Sequence, residues 1–179
     1  APSVEAAVCA AIERTTGDAV LISDYRSGVA TVGLVRCVRA LKASRSVLTA
    51  VDSQGELTKF SGLDVVKCNQ AEAESVLGHA LGERAERERA ITALRAQVGS
   101  DNLLVTRGGE GASIAMPDDY AEVSAFNRSE IFDVTGAGDT VVAVLTAALL
   151  AGGSVIEATQ LAQAAAGVVV RKWGNAQAT

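Results

Sequence analysis

Ala19-Val-Leu-Ile-Ser23, then a stretch carrying Val32, Leu34, Val35, Val38 and Leu41, then Ser46-Val-Leu-Thr-Ala-Val51 set the fold of this 179-residue chain. The first and third segments are short apolar runs ending in Asp24 and Asp52, as buried strands do, while the middle one repeats its apolar residues at helical spacing. Strand, helix, strand without a hairpin turn between them predicts parallel pairing through a crossover.

The pattern continues in both directions. Ser3 is placed to cap a helix running through Val4, Ala7, Val8, Ala11 and Ile12. Gly55 and Gly62 bracket a loop, Leu63-Asp-Val-Val-Lys67 reads as a third strand with Asn69 just after it, and helices are expected over 71–77 and 83–98. Asn102-Leu-Leu-Val-Thr106 is a fourth strand, followed by the turn Arg107-Gly-Gly-Glu-Gly111. Ala112 to Met116 and Ala121 to Phe126 suggest two more strands around a Pro117-Asp-Asp119 turn, and Ile131-Phe-Asp133 leads to two closing helices over 137–151 and 154–171. The expectation is a single α/β domain over 1–179, a mainly parallel sheet with helices on both faces, and no repeat or linker. In such sheets ligands lie beyond the carboxyl ends of the strands, which here carry Asp24, Asp52, Asn69, Thr106 and Asp133.

Composition narrows the function classes. Hydrophobic residues make up 49%, charged residues 21% and aromatic residues 3%, which fits helices on a buried sheet. With a net charge of -5 and no basic run, nucleic acid is not an expected partner. The longest apolar stretch, Val141 to Gly153, is short of the ~20 residues a membrane helix needs, so no membrane is expected and the stretch reads as a buried helix. Cys9, Cys37 and Cys68 lack metal-ligand spacing and read as reduced, mostly buried thiols of a cytoplasmic protein. The lone His79 lies in a polar segment and reads as a surface or capping residue.

The segment Asp133-Val-Thr-Gly-Ala-Gly-Asp-Thr140 carries the chemistry. Gly136, Ala137 and Gly138 let the backbone turn sharply and approach a ligand, and the apolar helix that follows aims its free N–H groups and positive dipole end at that place. This is an anion site of the kind phosphate uses. Asp139 stands in the first turn, where an aspartate either complements the dipole or, beside a bound phosphoryl group, accepts a proton from an incoming hydroxyl. Other phosphate motifs fail: Val141 stands where a dinucleotide fingerprint needs glycine, and no Gly-Lys-Ser/Thr triplet exists. The glycines at 108, 109 and 111 lead into a strand and so read as a hairpin turn.

Residues 133–139 followed by an apolar helix resemble the second signature of the ribokinase, or PfkB, family of carbohydrate kinases. Lys67-Cys-Asn69-Gln-Ala-Glu72 resembles that family's Asn-x-x-Glu element, Thr106-Arg-Gly108-Gly-Glu-Gly111 its Thr-x-Gly-x-x-Gly turn, and Ala164 to Val170 with Gly174 its adenine-pocket helix and loop. Leu21-Ile-Ser-Asp24-Tyr25, Glu130 to Val141 and Ala165 to Val170 are most similar to its heptose 7-phosphate kinases. The resemblance implies an ATP-dependent kinase acting on a sugar or sugar phosphate, with Asp139 as general base and Gly136, Ala137 and Gly138 as anion hole. It further implies Thr106, Gly108, Gly111, Thr135, Gln163 and Gly174 around the nucleotide. Asn69 and Glu72 would act through magnesium and its waters, and Asp133 beside a monovalent cation such as potassium.

The chain also departs from the family pattern. Nothing corresponds to the family's opening region, so a missing N-terminal region or a partner chain is expected, with homo-oligomerisation through exposed apolar surface. Heptose kinases carry Asp-Pro-Lys after the second strand where this chain has Asp52-Ser-Gln54, a change expected to remove a cation from the phosphate region. Arg26-Ser-Gly28 replaces Gly-Lys-Gly, and Gln163 replaces an asparagine. Two other readings accordingly stand beside the first, a non-catalytic nucleotide-binding or assembly module and a kinase of ribose or fructose-phosphate specificity.

Overall fold

A computed structural model describes residues 3–126 and 136–171. The elements run α1 (Val4–Arg14), β1 (Ala19–Asp24), α2 (Val32–Arg45), β2 (Leu48–Ser53), β3 (Val65–Asn69), α3 (Gln70–Leu77), α4 (Arg84–Val98), β4 (Asn102–Thr106), β5 (Ala112–Ala115), β6 (Tyr120–Val123), α5 (Ala137–Leu150) and α6 (Val155–Val169). One six-stranded sheet has the order β1-β2-β3-β4-β5-β6. Its first four strands are parallel, and β5 and β6 are joined antiparallel at one side.

Local chemistry sets the boundaries. Ser3 and Thr31 accept from the third residue beyond them and cap α1 and α2, and Asn69 with Glu72 and Ser154 with Glu157 form reciprocal capping boxes on α3 and α6. Ser46, expected to open the second strand, instead closes α2 in a left-handed conformation (φ 53°), so β2 begins at Leu48. The loop between Gly55 and Gly62 contains a 3₁₀ turn, Leu57–Phe60, whose Leu57 and Phe60 are buried. β6 ends at Val123, before the expected Phe126. The expected strand at 131–133 lies outside the described residues.

Strand alternation divides the core in two. Ile22, Val51, Val66 and Leu103 stand in one cross-strand row and pack with Val35, Val38, Phe60, Ile91 and Leu94 under α2 to α4. Ala50, Val65, Leu104 and Ile114 face the other way, against Val141, Val142, Leu145, Ala158 and Ala162 of α5 and α6. Helices therefore cover both faces, as expected. Cys68 is buried, whereas Cys9 and Cys37 are only half-buried. β1 is paired on one side only among the described residues, and Leu21 on it is 41% exposed.

A polar clip closes the amino ends of the parallel strands. Asp64 Oδ2 accepts from the Thr49 backbone N–H (2.7 Å) and hydroxyl (2.6 Å), and Lys42 Nζ lies 2.8 Å from Asp64 Oδ1. Burial pushes the Asp64 carboxyl up, but Lys42 and Thr49 together outweigh it and hold the group below the usual carboxylate range. A carboxylate with a lowered folded pKa stabilises above its unfolded value of ~3.9 and loses that contribution as pH falls through the lowered value. Asp64→Asn should therefore cost about 1 kcal/mol at pH 7. The difference should shrink as urea titrations are repeated at pH values falling below ~3.9.

Candidate active site

Ser23, Asp52, Lys67 and Leu104 form the next cross-strand row on the α5 side, at the carboxyl ends of the parallel strands. The row is polar across β1 to β3, beside the start of α5, and turns apolar at Leu104 and Ile114. α5 starts at Gly136 in a left-handed conformation (φ 77°), which brings no side chain to cap the helix's own amides. The first-turn N–H groups thus lie over a polar floor.

Asp139 in that first turn touches the rim of β1. Tyr25 Oη donates to its Oδ2 at 2.6 Å and Ser23 Oγ to its Oδ1 at 3.2 Å. Tyr25 is 56% exposed, and its hydrogen bond to Asp139 is the main reason its hydroxyl is held above the ordinary tyrosine value. Behind Asp139, Lys67 Nζ pairs with Asp52 Oδ2 at 2.7 Å, and Lys67 is only 4% exposed. Burial pushes the Asp52 carboxyl up, Lys67 opposes this, and the like charge of Asp139 adds to it. A Cβ at Gly138 would sit 2.8 Å from Lys67 Nζ and 3.2 Å from Asp52 Oδ2, so the ammonium lies directly against the first turn of α5. The sequence pattern after β2 implied that this region lacks a cation. Lys67 brings one from β3 instead.

Beside this row a mainly apolar cleft opens between the Thr106 turn and the last two helices. Thr106, Gly108 and Gly111 line one wall with Ala125 and Phe126, and Ala137, Gly138 and Val141 line the floor. Gln163, Ala166, Gly167 and Val170 form the other wall. Six of the expected site residues thus share one cleft: Thr106, Gly108, Gly111, Ala137, Gly138 and Gln163. The cleft runs to Gly138, where the polar row begins. The Gly-rich turn joins antiparallel strands, as a hairpin should, and Gly111 (φ 95°, ψ −131°) lies where only glycine is comfortable.

Asn69 and Glu72 stand at the end of β3, and Asn69 is in register with Thr106. Their side chains are engaged in the capping box, Glu72 Oε2 accepting from the Asn69 N–H at 2.7 Å and Asn69 Oδ1 from the Glu72 N–H at 2.9 Å. Among the described residues no group of three or more His, Cys, Asp or Glu is placed to hold a metal. A single half-buried carboxylate suits magnesium, which keeps its waters and relies on substrate phosphates for its remaining ligands. Asp24 is drawn off to the other face of the sheet, where it accepts from Lys59 Nζ (2.9 Å) and the Arg26 N–H (3.0 Å). Asp133, Thr135 and Gly174 lie outside the described residues. Ser23, Tyr25 and Lys67 are the additions that sequence reading had not assigned a role; for Lys67 the signal was a lysine inside an apolar strand.

A mainly parallel α/β sheet with a helix start free of side-chain caps and an apolar cleft at its carboxyl rim has the form in which phosphates and nucleotides are commonly bound. The chain belongs to the pfkB family of carbohydrate kinases, whose profile, described as "pfkB family carbohydrate kinase", matches residues 11–178. It is 36% identical over 163 residues to the bifunctional protein HldE of Trichlorobacter lovleyi, covering 90% of this chain and 33% of that protein. It is 42% identical over 161 residues to the bifunctional protein HldE of Marinomonas sp., covering 89% and 33%. The chain therefore spans about a third of the length of these curated relatives. Among solved structures, phosphofructokinase-2 from Escherichia coli in complex with potassium superposes with a TM-score of 0.82 at 19% identity, over 97% of this chain and 57% of that one. Arabidopsis thaliana ribokinase complexed with ribose and ATP superposes with a TM-score of 0.78 at 20% identity, over 94% and 54%. No helix among the described residues is long and apolar enough to cross a membrane.

The Thr106 turn offers a direct test of how the cleft is built. A Cβ at Gly111 would meet Val123 O at 2.0 Å and Ala125 N at 2.6 Å, whereas one at Gly109 would meet nothing within 4 Å. Gly111→Ala should cost roughly 2–5 kcal/mol by forcing strain and displacing the wall that holds Ala125. Gly109→Ala should leave the denaturant midpoint nearly unchanged, and equal effects of the two would contradict this geometry.

Proposed function

We propose that the chain is the nucleotide-binding and catalytic part of an ATP-dependent kinase that phosphorylates a hydroxyl of a sugar or sugar phosphate, with residues 1–179 acting as a single α/β unit. The observation that carries this reading is Asp139 on the first turn of α5, beside the Gly136-Ala137-Gly138 amides and at the end of the apolar cleft. The adenine lies in the cleft between the Thr106 turn and α6, against Gly108, Gly111 and Gln163, and the triphosphate runs towards Gly138. The acceptor hydroxyl approaches from the side of β1, where Tyr25 and Ser23 hold the Asp139 carboxylate in place.

The acceptor oxygen attacks the γ-phosphorus as its proton passes to an Asp139 carboxylate oxygen. The bond from the γ-phosphorus to the β–γ bridging oxygen breaks, and ADP leaves with that electron pair. The α5 amides stabilise charge on the transferring group. Magnesium arriving with the nucleotide would neutralise the phosphate oxygens, and the sequence resemblance assigns its waters to Glu72 and Asn69. Thr135, Gly174 and Asp133, the last beside a potassium ion, are assigned from the sequence resemblance alone. That same resemblance makes heptose 7-phosphate the first acceptor to test. Cytoplasmic location is the assignment that three free thiols favour. Magnesium-ATP should bind the wild-type protein in a calorimetric titration. Asp139→Asn should keep that affinity within a few-fold and reduce turnover by about 10²–10⁴. Near-normal turnover in the variant would remove Asp139 from the role of base, and ATP binding without transfer would favour a non-catalytic module.

A further inference from the structure

We propose that Lys67 is the cation that engages the transferring phosphoryl group, a role that rests on the kinase reading above. For folding alone, a lysine at this position is poorly placed. It is almost fully buried, and it lies beside the start of α5, where the helix dipole disfavours positive charge and favours negative. Asp52, at 2.7 Å, offsets that cost, yet buried ion pairs of this kind seldom add net stability over an apolar pair of the same shape. An anion reverses the balance. A phosphoryl group on the α5 amides would face the ammonium across the space that Gly138 leaves open, since even a Cβ there would come within 2.8 Å of Nζ.

The choice of phosphoryl group follows from neighbouring positions. Gly138 immediately precedes Asp139, the proposed base, and the group between base and leaving oxygen is the one being transferred. Lys67 therefore contacts the γ-phosphoryl rather than the two phosphates that remain on ADP. It stays protonated throughout, exchanges no proton, and uses its three donors to bridge Asp52 and phosphoryl oxygens. Asp52 acts as a positioning residue that keeps the ammonium in place before ATP arrives. The apolar strand context leaves the chain of Lys67 no other direction, because Val65 and Leu104 pack around the same face.

The test compares ATP with ADP, each with magnesium, by calorimetry on the wild type, Lys67→Met and the pair Asp52→Asn with Lys67→Met. The double variant removes the carboxylate that the single change would leave buried and unpaired. Thermal melts would establish which variants are folded. The expected result is ADP affinity within about twofold of wild type and ATP affinity about tenfold weaker, equivalent to ~1.4 kcal/mol. Turnover should fall by more than about 10²-fold, with partial recovery in Lys67→Arg. A folded double variant that keeps the wild-type preference for ATP over ADP would overturn the proposal and leave Lys67 as the structural partner of Asp52. A folded wild type that binds neither nucleotide would instead remove the kinase reading, and this proposal with it.

Discussion

The placement of α5's first turn over the carboxyl ends of β1 to β3 is the constraint on which the candidate site depends. It needs Gly138, because a side chain there would run into Lys67 and Asp52. It also needs the strand register, which brings Ser23, Asp52 and Lys67 into one row from positions far apart in sequence. A slip of one residue in β2 would turn Asp52 into the opposite core, towards Val66 and Phe60, and leave Lys67 charged and unpaired. The packing that protects against such a slip is the large apolar row on the far face. The site is thus held in register by residues that never touch it.

Strand alternation also separates structural charges from those available for chemistry. Ser23 and Asp24 are adjacent, yet they serve opposite faces. Asp24 is enclosed by Lys59 and a backbone N–H and ties β1 to the 3₁₀ turn, whereas Ser23 reaches Asp139. The network of Arg87, Arg107, Tyr120 and Glu122 around β6 has the same structural character, with Arg87 Nε 2.8 Å from Glu122 and the Tyr120 hydroxyl also donating to Glu122. Burial alone would raise the Glu122 carboxyl, but Arg87 and Tyr120 hold it below its ordinary value. The Asp139, Asp52 and Lys67 group is different, since it borders a helix start.

Much of this was legible in the sequence because local signals and global fold agree. Apolar runs ending in a polar residue located β1, β3 and β4, and the Ser3 cap fixed the start of α1. The Gly136-Ala137-Gly138 turn marked the start of α5. What could not be read required partners distant in sequence. Asp52 and Lys67 are 15 residues apart and meet only through the parallel register, and Tyr25 reaches Asp139 across 114 residues. Asp24 stands at the end of β1 as expected, but a strand end offers two faces, and the sequence does not say which of Ser23 and Asp24 turns towards α5. The Ser46 boundary moved because the backbone there adopts a left-handed cap, which a serine reveals less readily than a glycine.

The division between cleft and polar row explains how an acidic chain can attract a polyanion. The net charge of -5 would repel ATP at long range, but screening in salt confines that effect to about 10 Å. Beside the start of α5, the helix dipole and Lys67 present positive potential, which Asp52 partly offsets. On the proposal above, a phosphoryl group would share the ammonium with Asp52. On the kinase reading, the apolar cleft would supply affinity that does not depend on charge, through walls that include the small residues Gly108, Ala166 and Gly167. Binding energy from the cleft can then hold the triphosphate against the repulsion of Asp52 and Asp139, the two carboxylates that the proposed chemistry requires nearby.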